Sequence, residues 1–293
     1  MIKCIVSSCL LLATAAVASA AGLSPIICDG VYPYHLQGVA TDGTNLFWSF
    51  TSVLVKTDKA GMVLAKDEIC LGDGHMGDLC CKGGKVFVGM NMGRDGRGWK
   101  KDDEVWQYDG EGMKREKAFP TPHTIWCNNG IEWFDGYFWL IGSIPKFSEY
   151  NIVFKYNPDF RFCGARLVAS GWTNLGVQTI CRYGDVVLFG CYGTPKKDDP
   201  NAHESSTLVV NAKSLTEKPS AEYPSIAPVL KRFNSYTAEG MLVMDGTLWV
   251  AYGFKKVPNA TGNEPCWSAK LIPGQYSKEL DGLSDSAGMS TRK

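Results

Sequence analysis

The chain of 293 residues carries 45% hydrophobic, 12% aromatic and 20% charged side chains, enough apolar matter for a substantial core and too much for disorder. Thirty basic side chains balance thirty acidic ones, so no global field draws a polyanion and nucleic acid is excluded as a natural partner. Thirty-two glycines beside nine Trp, twelve Tyr and thirteen Phe predict many short strands joined by tight turns, an all-β fold.

Met1-Ile2-Lys3, an apolar run from Cys4 to Val17, and Ala18-Ser19-Ala20 before Ala21 predict a signal peptide over residues 1–20. No later run is long and apolar enough for a transmembrane segment. The expected product is therefore secreted or periplasmic, with a single domain over 21–276 and a polar, disordered tail over 277–293. Nine cysteines remain after cleavage: Cys28, Cys70, Cys80, Cys81, Cys127, Cys163, Cys181, Cys191 and Cys266. An oxidising compartment predicts some disulfides, although several of these residues sit in strand-like apolar runs where a free thiol acts as a small hydrophobe. No C-x-x-C spacing occurs, which argues against structural zinc.

A unit of about fifty residues then recurs: a short apolar strand, a Gly-centred turn, a bulky apolar strand, an insertion, and a strand closing on an Asx residue. The first copy uses Gly38–Thr41, Asp42-Gly43, Leu46–Phe50 and Leu54–Asp58. The second uses Leu79–Cys81, Gly83-Gly84, Val86–Gly89 and Val105–Asp109, and the third Ile131–Trp133, Asp135-Gly136, Phe138–Gly142 and Val153–Asn157. The fourth uses Thr179–Cys181, Tyr183-Gly184, Val186–Gly190 and Leu208–Asn211, and the fifth Met241–Val243, Asp245-Gly246, Thr247–Ala251 and Trp267–Leu271. Asp58, Asp109, Asn157 and Asn211 recur at spacings of 51, 48 and 54 residues, and an Asx side chain there can start the turn into a fourth, outer strand. Outer strands are expected at Met62–Lys66, Lys114–Phe119, Arg161–Val168 and Leu215–Ala221. The fifth unit lacks one, and Pro25–Cys28, which belongs to no repeat, is the candidate to supply it.

The period and strand order predict a five-bladed β-propeller of four-stranded antiparallel blades, closed by the N-terminal strand. In its G-[IV]-x-x-x-D-G units, bulky second strands, and K-T-D or K-Y-N closures, the sequence also resembles secreted bacterial propeller proteins of no settled function. That resemblance implies the fold and carries no reaction with it.

Residues just before each first strand should converge on one mouth of a propeller's channel. They include Tyr34, His35 and Gln37; His75 and Asp78; His123 and Trp126; Trp172 and Gln178; and Tyr236 and Glu239. One reading makes His35, His75 and His123 the ligands of a divalent transition metal. A second makes His75 and His123 acid/base groups, with Asp78 and Glu239 as carboxylate partners. A third has each imidazole bonded to a backbone carbonyl with no chemistry at all. Tyr34, Trp126, Trp172 and Tyr236, with His35, Gln37 and Gln178, form the candidate ligand-binding surface, since half-polar aromatics suit a sugar ring. Trp48, Phe87, Trp139, Phe189 and Trp249 belong to the core. The mixed-charge loop Arg94–Asp103 reads as a solvated flap, and Asn259-Ala260-Thr261 matches a glycosylation sequon. Familiar catalytic signatures are absent. The expected function is binding, with hydrolysis or β-elimination as the reaction class if it is an enzyme, of a small or glycan ligand at the channel mouth. The competing class is a protein-interaction platform.

Overall fold

The computed structural model describes residues 22–97, 101–125, 127–142, 148–196, 199–234, 239–258, 265–275 and 277–289. The expected export signal, Trp126, Tyr236 and the sequon lie outside them. The chain is an all-β, propeller-like array of antiparallel sheets. Its strands are β1 (Ile26–Pro33), β2 (Leu36–Thr41), β3 (Leu46–Phe50), β4 (Val53–Thr57), β5 (Val63–Glu68), β6 (His75–Lys82), β7 (Lys85–Asn91), β8 (Glu104–Asp109), β9 (Arg115–Pro120) and β10 (Gly130–Phe134). They continue as β11 (Tyr137–Ile141), β12 (Asn151–Tyr156), β13 (Phe162–Ala169), β14 (Asn174–Tyr183), β15 (Val186–Lys196), β16 (Asp199–Asn211), β17 (Ile226–Asn234), β18 (Met241–Met244), β19 (Thr247–Val257) and β20 (Cys266–Pro273).

The strands pair as β2-β3-β4-β5, as β6-β7-β8-β9 and as β1-β20-β19-β18. The runs β10–β13 and β14–β17 are joined into one eight-stranded sheet by a short parallel pairing of β13 with β17. The first strands of these runs, β2, β6, β10, β14 and β18, touch one another in that order, and β18 touches β2. They surround the axis of the molecule.

Local chemistry explains the repeats. The turns Asp135-Gly136 and Asp245-Gly246 have φ values of 50° and 81°, and of 52° and 74°, the two left-handed positions a tight hairpin turn requires. The Asx residues behave as expected: Asp58 Oδ1 accepts from the Ala60 and Met62 amides at 2.9 Å, and Asn157 Oδ1 accepts from the Asp159 and Arg161 amides at 3.0 and 2.8 Å. Second-strand aromatics fill the spaces between sheets. Trp48 and Trp139 are fully buried, and their indole N–H groups donate to Thr57 Oγ1 at 3.0 Å and to Phe134 O at 3.1 Å, so bulk is buried without an orphaned donor.

Three expectations are corrected. The outer strand of the fourth unit is Ile226–Asn234, while Leu215–Ala221 begins inside a single helical turn, α1 (Lys213–Thr216), that buries Leu215. Pro219 and Pro224 keep the intervening stretch out of any ladder. The tail expected to be disordered contains an α-helix, α2 (Ser277–Met289). Leu280 is fully buried, Ser284 Oγ accepts from the Asp185 amide at 2.7 Å, and Tyr183 donates to Asp281 at 2.6 Å. Among the described residues no disulfide forms: all nine cysteines from Cys28 to Cys266 are free. Cys28, Cys80, Cys181 and Cys191 are buried within strands as small hydrophobes, and burial raises each of their pKa values.

Two strand glycines mark where sheets approach closely. A Cβ on Gly77 or on Gly89 would collide with the backbone oxygen of Asn128. Backbone cannot rotate away as a side chain can. Gly89→Ala is therefore expected to lower stability by about 2–3 kcal/mol, measured as the urea midpoint at unchanged slope.

Candidate functional site

The innermost strands share a common level along the axis. A Cβ on Gly38 would strike Asp78, the Asp78 amide donates to Asn129 O at 2.7 Å, and Gly240 abuts Gly38 and Val39. The Thr179 hydroxyl and the Ile180 amide donate to Asp78 Oδ2 at 2.6 and 3.3 Å. Asp78 thus bridges β6 to β14, skipping β10 between them. Burial drives its pKa well above the ordinary carboxylate value, against the opposing pull of these bonds. Residues before this level face the leading end of the strands; those after it face the trailing end.

At the leading end, Gln37 Nε2 lies 2.9 Å from His35 Nε2 and donates to Thr51 Oγ1 at 3.5 Å. As the amide is oriented, its nitrogen donates and His35 Nε2 accepts. The Thr51 backbone joins the two histidine strands, donating to His35 O at 3.2 Å and accepting from the Met76 amide at 2.9 Å. Burial first, and the charge of His35 second, lower the pKa of His75, so His75 favours the uncharged form. Asn91, opposite His75 in the ladder, donates to Cys127 Sγ at 3.0 Å. Asn129 Nδ2 donates to Gln178 Oε1 at 3.1 Å, and Gln178 Nε2 donates to Leu175 O at 3.0 Å. Glu239 accepts from the Gly253 amide at 2.8 Å, and burial raises its pKa. Burial, with Glu239 as the second cause, pushes the Tyr192 phenol up to about 12.

The backbone just before β2 and β10, and at the start of β14, is strained. Tyr34, Cys127 and Leu175 have φ values of 65°, 70° and 57°, a region that side chains of this bulk rarely adopt. Such strain costs about 1–3 kcal/mol per residue and clusters at functional sites. Tyr34 and Leu175 are also exposed, as are Ile125, Tyr150 and Phe254 in neighbouring connections. An apolar rim thus accompanies a polar interior.

The structure unites some predicted residues and separates others. His35 and His75 are neighbours, and Gln37, Gln178 and Glu239 share their end of the axis. His123 does not join them. Its ring stacks on Phe162 at 4.1 Å and 10°, with Tyr156 edge-on at 6.2 Å, against the outer part of the β10–β13 sheet. The cause is the connection into β10: Thr124 donates to Thr121 O at 2.8 Å, and Asn128 Nδ2 donates to Thr121 Oγ1 at 2.7 Å. Those bonds anchor the chain beside β9 before it reaches the axis. Among the described residues, no group of three His, Cys, Asp or Glu side chains is placed to hold a metal. Trp172 is half-buried and Tyr34 is exposed. Asn129 lies in a segment expected at the channel mouth and Asn91 at the start of a loop expected to rim it, whereas Thr51 and Tyr192 were not expected in the site.

The trailing end holds a cavity of about 200 Å³ lined by all five innermost strands. Glu132 and Arg182 enter it beside Thr41, Leu79 and Val243. Glu132 accepts from the Trp133 amide at 2.8 Å and weakly from the Arg182 amide at 3.4 Å. Burial outweighs those bonds and the Arg182 charge, raising its pKa to about 7. In the repeat, Glu132 stands where the other first strands carry the apolar Val39, Cys80, Ile180 and Leu242, and that charge in an apolar run was the signal available.

The chain matches no protein-family model and no curated protein. Among solved structures it is similar to native Bacillus subtilis arabinanase Arb43A, at 11% identity and a TM-score of 0.49, over 85% of this chain and 98% of that one. It is also similar to a protein of unknown function from Bacteroides caccae, at 9% identity and a TM-score of 0.39, over 71% and 83%. A third is a quinohemoprotein alcohol dehydrogenase of Pseudomonas putida HK5, at 11% identity and a TM-score of 0.39, over 83% and 40%.

Proposed function

We propose that the chain is a five-bladed β-propeller, closed by β1 in the last blade and exported by its N-terminal segment, that binds a hydroxyl-rich, carbohydrate-like small ligand at the leading end. The observation that carries this reading is the pairing of strained backbone at Tyr34, Cys127 and Leu175 with an interior of uncharged hydrogen-bonding groups. The uncharged His75 imidazole, carboxamides and the Tyr192 phenol offer donors and acceptors without the charge that would demand an ionic partner. The exposed Tyr34 ring supplies a flat face for a pyranose or furanose. His75 and Glu239 are the groups best placed to move a proton, should the bound glycan be hydrolysed or undergo β-elimination. His123 has no part in it.

A panel of oligosaccharides screened by calorimetry tests the reading. His75→Ala and Gln178→Ala are expected to weaken the best ligand at least about tenfold, a loss of about 1.4 kcal/mol, while leaving the melting temperature within a few degrees. Binding should also fade as pH falls far enough to protonate His75, whose charged form its burial disfavours. Unchanged affinity in both variants and at pH 5 would defeat the proposal.

A further inference from the structure

The trailing-end cavity plays no part in the reading above, yet it is the place where all five innermost strands contribute to one half-open recess. Its volume of about 200 Å³ has room for a molecule of a few heavy atoms together with ordered water. Its walls divide chemically. Val39, Leu79 and Leu242 offer hydrocarbon, whereas Thr41, Glu132 and Arg182 are polar.

Arg182 has donors to give. Its guanidinium lies 3.9 Å from Asp135 and 3.7 Å from Asp185, both beyond hydrogen-bond length, and Nη1 makes no hydrogen bond. The side chain is 24% exposed. A small anion with an alkyl tail matches the guanidinium on one wall and the hydrocarbon of Leu79 and Leu242 on another.

We propose that this cavity is a binding site for a short-chain carboxylate of about two to four carbons, its anionic head between Arg182 and the Glu132 carboxyl and its tail against Leu79 and Leu242. The two heads can share a proton. Glu132 titrates near pH 7 because of its burial, so an arriving anion draws a proton onto it and converts a repelling carboxylate into a donor. The other charges around it are Asp78 and Lys82 from β6, Arg182 and Asp185 at the end of β14 and its turn, Asp42 from the β2–β3 turn, and Asp135 from its own hairpin. The thiols of Cys80, Cys81 and Cys181 have raised pKa values and stay protonated. Affinity therefore rises as pH falls.

Sodium propionate titrated into the full-length mature protein by calorimetry, with melting temperature as a second readout, tests this. Binding is expected to be about tenfold tighter at pH 6 than at pH 8, following uptake of up to one proton per anion. Arg182→Met should abolish it, and Glu132→Gln should retain it with no pH dependence. Val243→Phe, which fills the cavity and leaves both polar groups in place, should also abolish it if Arg182→Met fails to fold. Propylammonium binding in place of propionate, propionate binding that survives Val243→Phe, or the absence of heat and thermal shift at tens of millimolar would each overturn the assignment. None of these results depends on a glycan binding at the other end.

Discussion

Deleting residues 22–33 is expected to abolish cooperative unfolding and to yield aggregating protein. β1 is a strap between the last sheet and the first. It pairs with β20 through Ile26–Leu271, Ile27–Lys270, Cys28–Ala269 and Tyr32–Trp267, and the Asp29 amide donates to Gly61 O at 3.0 Å in the β4–β5 turn. Cys28 is fully buried, and the Tyr32 ring lies 4.5 Å from that of Phe50. A buried ring and thiol contribute a few kcal/mol, and loss of the strand also leaves the long edge of β20 unpaired. Together these approach the whole stability of an ordinary domain, about 5–15 kcal/mol. Gly61→Ala gives a graded version, because its Cβ would run into the Ile27 carbonyl at a φ of 94°. A deleted protein with an unchanged melting temperature would mean that the sheets hold together without this seam, and would overturn the proposed closure by β1.

The contrast between what the repeats disclose and what they conceal has a physical cause. Strand positions were legible because alternating apolar residues, Asp-Gly turns and Asx closures are all local, and each unit repeats them. Trp48, Phe87, Trp139, Phe189 and Trp249 are all buried for the reason their strand position implies. The outer strand Ile226–Asn234 was hidden, since Pro228, Lys231 and Arg232 give it no apolar run. Which side chains face the axis was hidden more deeply. β2, β6 and β14 contain bulges at Leu36–Gly38, Met76–Leu79 and Val177–Thr179, and each bulge resets the two-residue alternation from which an inward face is read. Asp78 was therefore expected as a partner for histidine and instead ties β6 to β14. His123 was placed by counting back from its strand, but side-chain bonds to Thr121 divert that connection outward. Glu132 breaks the apolar pattern of its strand, but only its meeting with Arg182 across β10 and β14 reveals a site.

Glu132 also predicts the sign of a pH effect on stability. Its pKa is raised from the ordinary 4.5 to about 7 in the folded chain, so the folded state holds the proton more tightly than the unfolded one. Stability is then fully present below about pH 4.5 and declines as pH rises towards and through 7. The span corresponds to about 3 kcal/mol at about 1.4 kcal/mol per pH unit. Glu132→Gln removes the ionisation but leaves an amide NH₂ facing one of the two backbone donors, Trp133 or Arg182, at a cost of about 1 kcal/mol. The curves should therefore cross. The two are expected to be about equally stable at pH 5, and the variant more stable at pH 8 by about 2 kcal/mol. Asp78 titrates in the same direction in both proteins and largely cancels from the difference. Urea titrations of the two proteins at pH 5, 6.5 and 8 measure it directly; a difference independent of pH would show that Glu132 is already ionised within the fold, and that the trailing-end cavity holds a plain carboxylate.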